Sequence, residues 1–276
     1  MFFGIRLATR KNCPRVFPEN PVLWLFDVGE RGSKVMQNAL NAVRFLTIAG
    51  AWSPDLSTRG ALGKGALYFP LIGFLLGATL ALVSRILEPH LESEILGVAL
   101  IAILALLSGG THLQGIHNIF DRVSVNGRHS EPVSVRSTGR SASVAGFLAV
   151  LMIVLFKIRS VEVSGELRNV GLLLAPGLAR WTLVIFLYES GELLDLNGGA
   201  IRNVSAWHLL FTSILTIAVT IYFVGAIGLW IGLFLSFIPL VYRLCLVWSR
   251  RALTQDDCGA LTEISETFAF ILFASF

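Results

Sequence analysis

The polar residues best suited to chemistry lie in two segments of an otherwise apolar sequence. In the first, GGTHLQGIHNIFD (109–121), Gln114, Asn118 and Asp121 follow one another at spacings of four and three residues. On a helix, this spacing places the three side chains on one face. Their oxygen atoms are of the kind that binds hard cations. The competing interpretation is an ordinary end of a membrane span that meets the lipid headgroups.

The second segment is LTQDDCGALTEISE (253–266), in which Asp256, Glu263 and Glu266 lie close to one stripe of a helix. Carboxylates against an apolar background favour Mg²⁺, which prefers oxygen ligands and substrate phosphates. A helix N-terminus enriched in acids by the macrodipole is the alternative. That alternative explains Asp256 and Asp257 well, and Glu263 and Glu266 poorly.

Three basic or titratable side chains accompany these segments. Arg180 lies inside an apolar run, where a guanidinium needs an anionic ligand or a structural carboxylate partner. Lys157 follows an apolar run, so we expect its ammonium to snorkel toward the membrane surface, with substrate binding as the alternative. His112 is a candidate general acid or base, or else a satisfied structural histidine.

The composition predicts the kind of fold that positions these residues. Hydrophobic residues make up 54% of the 276 residues and charged residues 14%, and the mean hydropathy is +0.72. A soluble domain of this length needs a more polar surface. We therefore predict an all-α, polytopic integral membrane bundle of about six to seven transmembrane helices of roughly 20 residues each. The predicted spans are 66–87, 95–113, one that begins at 143 and runs to 156, 170–188, 207–223, 226–248 and a short seventh at 263–276.

Domain limits and orientation follow from charge. Residues 1–35 read as a polar N-terminal extension, and 36–276 as a single membrane domain with an interfacial helix at 36–48 and polar loops at 114–142 and 189–206. Lysines and arginines concentrate before the first span, in 114–142 and around 243–252, which places these segments on the cytoplasmic side. The net charge of +4 then reflects cytoplasmic loops and not nucleic-acid binding. Cys13, Cys245 and Cys258 form no metal or disulfide pattern.

Taken in order, short motifs in this chain resemble the cobalamin synthase family, the adenosylcobinamide-GDP ribazoletransferases. The resemblance covers about residues 40–276. It rests on Phe45-Leu46-Thr47, YFPLIG (68–73), GGTHL (109–113), Gly146, Lys157, Arg180-Trp181, and LTQDDCGA (253–260) followed by Glu263 and Glu266.

The resemblance implies a reaction and roles for the candidate residues. Family members join adenosylcobinamide-GDP to α-ribazole or its 5′-phosphate, release GMP and require Mg²⁺. The implied partners are these two substrates and the lipid bilayer of the cytoplasmic (inner) membrane, with active-site loops facing the cytoplasm and oligomerisation left open. The implied catalytic residues are Asp121, His112 and Arg180; the substrate-binding residues are Gln114, Asn118, Lys157 and Arg180; and the metal ligands are Asp121, Asp256, Glu263 and Glu266.

Departures from the family motif support a second hypothesis. Where the motif reads DGLADTADG, this chain has Gln114 and Asn118 in place of two aspartates and Arg122 in place of the last glycine. The Lys-Asp pair of a later family motif is absent near 137–141. The alternative is therefore a catalytically altered or inactive relative that binds a corrinoid or another phosphate ester. A transporter or unrelated scaffold predicts a polar path through several spans, whereas the charges here cluster on one face of the membrane. A CDP-alcohol phosphotransferase predicts the pattern DGx2ARx8Gx3Dx3D, which is missing.

Overall fold

The computed structural model describes residues 36–50, 65–126, 144–188, 193–194, 200–201, 204–249 and 253–276. One compact unit comprises Asn38–Phe276. A second unit comprises Met1–Gln37, of which only residues 36 and 37 are described. The predicted polar extension 1–35 lies outside the described residues. The division into an extension and one membrane domain therefore stays a prediction.

The described chain is almost entirely helical, which confirms the predicted all-α class. The interfacial helix expected at 36–48 corresponds to helical residues 36–46, called α1. The later helices are α2 (Phe69–Leu87, after the 3-10 turn Ala66–Tyr68), α3 (Ser93–Leu107), α4 (Thr111–Asn126), α5 (Val144–Val163), α6 (Arg168–Leu187), α7 (Ala206–Val224), α8 (Ile227–Trp248) and α9 (Gln255–Ser275). Short 3-10 turns also cover Ile48–Gly50 and Gly165–Leu167. Between α6 and α7, β1 (Leu193–Leu194) pairs antiparallel with β2 (Ala200–Ile201).

Six helical segments of the described chain are long and apolar enough to cross a membrane, and the bent pair α3–α4 makes a seventh when counted as one span. This confirms the predicted polytopic helical bundle. The six are Ala66–Leu87, Val144–Val163, Gly165–Leu187, Ala206–Val224, Ile227–Trp248 and Gln255–Ser275.

The second predicted span, 95–113, was wrong as one straight helix. The chain turns at Ser108–Gly110, and the axes of α3 and α4 differ by 88°. Gly109 and Gly110 adopt φ values of +67° and +66°, a backbone region in which a side chain is strained. The loop predicted from 114 was also wrong, because α4 continues to Asn126. Hydropathy alone did not reveal the turn, because the apolar run continues through it.

Two other predicted spans were too short. The span expected at 143–156 continues as α5 to Val163. The last span, expected at 263–276, begins at Gln255 and has 21 residues. Its start is set by a capping box, in which the Asp257 carboxylate accepts from the Thr254 backbone N–H and the Thr254 side chain accepts from the Asp257 backbone N–H. The acidic residues of this first turn lowered the apparent hydropathy of the helix.

Helix α6 lies at the centre of the bundle and is buried along most of its length. Glycines on α2 allow the two backbones to approach closely. A Cβ atom added at Gly77 would lie 2.2 Å from the Leu173 carbonyl oxygen, and one added at Gly73 would lie 2.4 Å from the Pro176 carbonyl oxygen. In contrast, α7 and α8 expose many large apolar side chains. The exposed faces of these helices suit contact with lipid.

We predict that Gly77→Val destabilises the bundle, because the added methyl groups meet the α6 backbone and not a movable side chain. Overpacking of this kind costs about 1–3 kcal/mol, which corresponds to a fall in Tm of several degrees for a chain of this size. Thermal unfolding of the detergent-solubilised protein measures it. Ala78 is exposed on the same helix, so Ala78→Val is the control. Equal Tm values for the two variants would contradict the close α2–α6 contact.

Candidate active site at the ends of helices α4 and α9

Glycines bring the two polar segments of the sequence into contact. A Cβ atom at Gly115 on α4 would lie 2.6 Å from the Asp256 carbonyl oxygen, and one at Gly259 on α9 would lie 3.1 Å from the His112 Cα atom. The side chains of larger residues would separate the two helices at this crossing. The segments 109–121 and 253–266, far apart in sequence, therefore share one interface.

A polar group that we call the helix-end cluster lies at this interface and comprises Asn118, Arg122, Thr254 and Asp256. Asn118 Nδ2 donates to Asp256 Oδ1 at 3.1 Å, and the Arg122 guanidinium forms an ion pair with the Asp256 carboxylate. Arg122 Nε donates to the Asn118 carbonyl oxygen at 3.2 Å, and Nη1 lies 3.5 Å from the Thr254 hydroxyl. The side chains of Arg122 and Asp256 are 24% and 28% exposed. This cluster therefore reaches the protein surface.

The neighbouring carboxylate, Asp257, has the structural role that an acidic residue in the first turn of a helix was expected to have. It is fully buried, and its Oδ1 atom accepts a hydrogen bond from the Tyr242 hydroxyl at 2.9 Å. Its other oxygen caps α9 through Thr254. Asp257 thus fixes the start of α9 against α8, and the Thr-x-x-Asp spacing was the available sequence signal.

Four charged side chains deeper in the bundle form what we call the buried charge network: Lys157, Arg180, Glu263 and Glu266. Lys157 Nζ pairs with the Glu263 carboxylate and with Glu266 Oε1, the latter at 2.7 Å. Arg180 Nη1 donates to Glu266 Oε2 at 2.7 Å and to the Pro176 carbonyl oxygen at 2.9 Å. No side chain of the network is more than 6% exposed. The two positive charges and the two negative charges cancel in the interior.

The buried charge network shows the surroundings of two residues, Lys157 and Arg180, for which the sequence left alternatives open. Lys157 was expected to snorkel, which is wrong: its side chain is 3% exposed and paired with carboxylates. Arg180 has the structural carboxylate partner that burial requires. Its Nε and Nη2 atoms find no hydrogen-bond partner among the described residues. His112 is buried and lies within electrostatic range of Arg180, Glu266 and Lys157.

Helix geometry keeps the helix-end cluster and the buried charge network apart. At a rise of 1.5 Å per residue, Asp256 precedes Glu263 by about 10.5 Å along α9. His112 and Asp121 are separated by about 13.5 Å along α4. Asp121 is buried, whereas Gln114 is exposed. The predicted site residues are therefore spread along both helices, and their individual roles stay predictions.

The four carboxylates predicted to hold Mg²⁺ do not fit one ion. Ligand oxygens of Mg²⁺ lie about 2.0–2.1 Å from the metal, whereas Asp256 and Glu263 leave α9 at points about 10.5 Å apart along its axis. Three of the four, Asp256, Glu263 and Glu266, already face arginine or lysine. Within the described part of the chain, no group of three or more His, Cys, Asp and Glu side chains could hold a metal ion.

The fold and the site together define a class: a polytopic helical membrane protein with a polar, partly exposed cluster where two helices meet. The model of the cobalamin-5-phosphate synthase family matches residues 38–274. The chain belongs to this family.

Curated relatives extend over most of this chain and of their own length, and they are named adenosylcobinamide-GDP ribazoletransferase. The relative from Alkaliphilus metalliredigens is 27% identical over 84% of this chain and 92% of its own. That from Syntrophobacter fumaroxidans is 29% identical over 82% and 93%, and that from Clostridium tetani is 27% identical over 88% and 98%. No solved structure matches the chain significantly.

We predict that breaking the buried charge network destabilises the protein, because the remaining charge is left unpaired away from water. Arg180→Met and Glu266→Gln should each cost about 3–5 kcal/mol. The double variant should cost less than the sum, with a coupling of about 1–3 kcal/mol. Thermal unfolding in detergent measures this double-mutant cycle. Arg159→Gln removes an exposed ion pair with Glu162 on α5 and should leave Tm unchanged. Additive single effects would contradict the Arg180–Glu266 contact.

Proposed function

We propose that the protein joins adenosylcobinamide-GDP to α-ribazole or its 5′-phosphate and releases GMP. The observation that carries this proposal is the family match over residues 38–274, together with the relatives' name, adenosylcobinamide-GDP ribazoletransferase. The product would be adenosylcobalamin or its phosphate. The protein would act within the cytoplasmic membrane, with the ends of α4 and α9 on the cytoplasmic side.

The proposed reaction is a phosphoryl substitution. A ribose hydroxyl oxygen of the ribazole forms a bond to the phosphorus that carries cobinamide. The bond from that phosphorus to the bridging oxygen breaks, and GMP leaves with the electron pair while the hydroxyl proton is transferred to a base. Such chemistry depends chiefly on in-line positioning and on neutralising the phosphate oxygens.

The helix-end cluster is the better candidate for the reacting centre, because its arginine and carboxylate are partly exposed. We assign Asp121 as the base that receives the hydroxyl proton, and Gln114 and Asn118 as groups that orient the substrates. His112 lies about 13.5 Å from Asp121 along α4, so the two cannot serve the same oxygen. Magnesium would enter as a counter-ion of the diphosphate substrate and not as a resident ion on the four carboxylates.

The alternative function, a catalytically altered relative that binds a corrinoid or another phosphate ester, has one supporting observation. Asn118 and Arg122, which replace an aspartate and a glycine of the family motif, both contact Asp256. They change the charge of the helix-end cluster from acidic to near neutral.

Turnover by the purified protein distinguishes the two functions. We expect GMP release and a cobalamin product, separated by chromatography, when the protein in detergent receives adenosylcobinamide-GDP, Mg²⁺ and α-ribazole or its 5′-phosphate. Asp121→Asn should reduce the rate by about 10²-fold or more, because general-base catalysis is worth about 10²–10⁴-fold.

Two controls make this result specific. Arg159→Gln, on the exposed face of α5, should retain the wild-type rate, and the Tm of Asp121→Asn must stay within a few degrees of the wild type. Absence of GMP release by the wild-type protein would favour the altered relative. A wild-type rate in Asp121→Asn would remove Asp121 as the base.

A further inference from the structure

Asp256 has a positively charged side-chain partner from a different helix. It lies in the first turn of α9, where the helix dipole favours a carboxylate. Across the interface, α4 supplies the Asn118 amide, which donates at 3.1 Å, and the Arg122 guanidinium, which forms an ion pair. Both partners of the Asp256 carboxylate come from one turn of α4, because Asn118 and Arg122 are four residues apart.

The position of Arg122 is held on three sides. Besides Asp256, its guanidinium contacts the Asn118 carbonyl oxygen and lies 3.5 Å from the hydroxyl of Thr254, the N-cap residue of α9. A planar guanidinium with several fixed donors suits such a site better than the point charge of lysine. The contacts join the backbone of α4, the cap of α9 and the first carboxylate of α9 in one group.

The contact between α4 and α9 carries a different charge from the one that the family motif would give it. If residue 118 were an aspartate and residue 122 a glycine, as in the motif that this segment resembles, two carboxylates would face each other and the guanidinium of residue 122 would no longer lie beside them. Such a pair needs a bound cation to remain ionised at short range. In this chain, Asn118 contributes a donor in place of a negative charge, and Arg122 contributes a positive charge.

We propose that the Arg122 guanidinium occupies the place of a divalent cation between α4 and α9, so that this helix contact closes without a resident metal ion. Arg122 is in this role a positioning residue: it acts through Asp256 and the first turn of α9. The proposal concerns the protein without substrate. It is therefore independent of whether the diphosphate substrate brings Mg²⁺ with it.

The test is the dependence of Tm on Mg²⁺ in the detergent-solubilised full chain. For the wild type, we expect Tm in 10 mM EDTA and in 10 mM MgCl₂ to agree within about 1 °C. For Asn118→Asp/Arg122→Gly, we expect a Tm several degrees lower in EDTA, and a recovery of about 5 °C or more on addition of Mg²⁺, because a ligand that binds only the folded state raises Tm. Binding of Mn²⁺, followed by electron paramagnetic resonance, should be absent in the wild type and close to stoichiometric in the double variant.

Matched variants separate this role from simple packing. Arg122→Lys keeps the charge and should remain independent of Mg²⁺, although its Tm is lower. Arg159→Gln removes an arginine from an exposed pair and should create no response to Mg²⁺.

Three results would overturn the proposal. The first is a wild-type protein that Mg²⁺ stabilises, or that binds Mn²⁺, with the effect lost in Asp256→Asn. The second is a double variant as stable in EDTA as the wild type, and the third is one that is destabilised but not rescued by Mg²⁺. If the double variant does not fold, the wild-type Mn²⁺ titration decides alone. No substrate is present, so a failure here leaves the proposed reaction untouched, and a failure of turnover leaves this result untouched.

Discussion

Electrical neutrality inside a membrane-spanning bundle is the constraint on which the rest of this structure depends. An unpaired charge among apolar helices is costly, so Lys157 on α5 and Arg180 on α6 require carboxylates within reach. Glu263 and Glu266 supply them, which requires α9 to face both helices at that depth. The rotation of α9 about its axis is thereby fixed. Asp256, two turns before Glu263 on the same stripe, must then face α4.

Small residues fix the distances that this rotation requires. Gly115 and Gly259 allow α4 and α9 to approach until a Cβ atom would contact backbone, and Gly73 and Gly77 do the same for α2 and α6. Close backbones are what permit the short side chains Asn118 and Asp256 to form a hydrogen bond across the interface. The chain bends by 88° at Gly109 and Gly110, and α4 then packs against α9 at Gly115 and Gly259. Pairing of charges and close packing therefore define the helix-end cluster jointly.

Much of the fold, but less of the site, followed from the sequence. Hydropathy located the spans and helical spacing placed Asp256, Glu263 and Glu266 on one stripe, because both are local properties. The partner of each charged side chain lies on another helix, far away in sequence, so local patterns did not identify it. Lys157 was expected at a helix end because the apolar run stops at Phe156, whereas α5 continues to Val163 and keeps Lys157 buried. The separation along α9 could have been computed from the helical rise alone, and it argues against one metal centre.

Three of the carboxylates of α9 have basic partners, and these pairs lie at two depths in the bundle. Asp256, Glu263 and Glu266 each face a basic side chain from another helix. In the buried charge network, replacing a partner would leave a charge unpaired in a medium of low dielectric. At the helix-end cluster, water screens the charges and a partner can be exchanged at modest cost. An anionic ligand such as a diphosphate can therefore compete with Asp256 for Arg122, whereas it cannot reach Lys157 or Arg180 without opening the bundle. The surface end of α9 is thus open to charged ligands, and the buried end holds the helix in position.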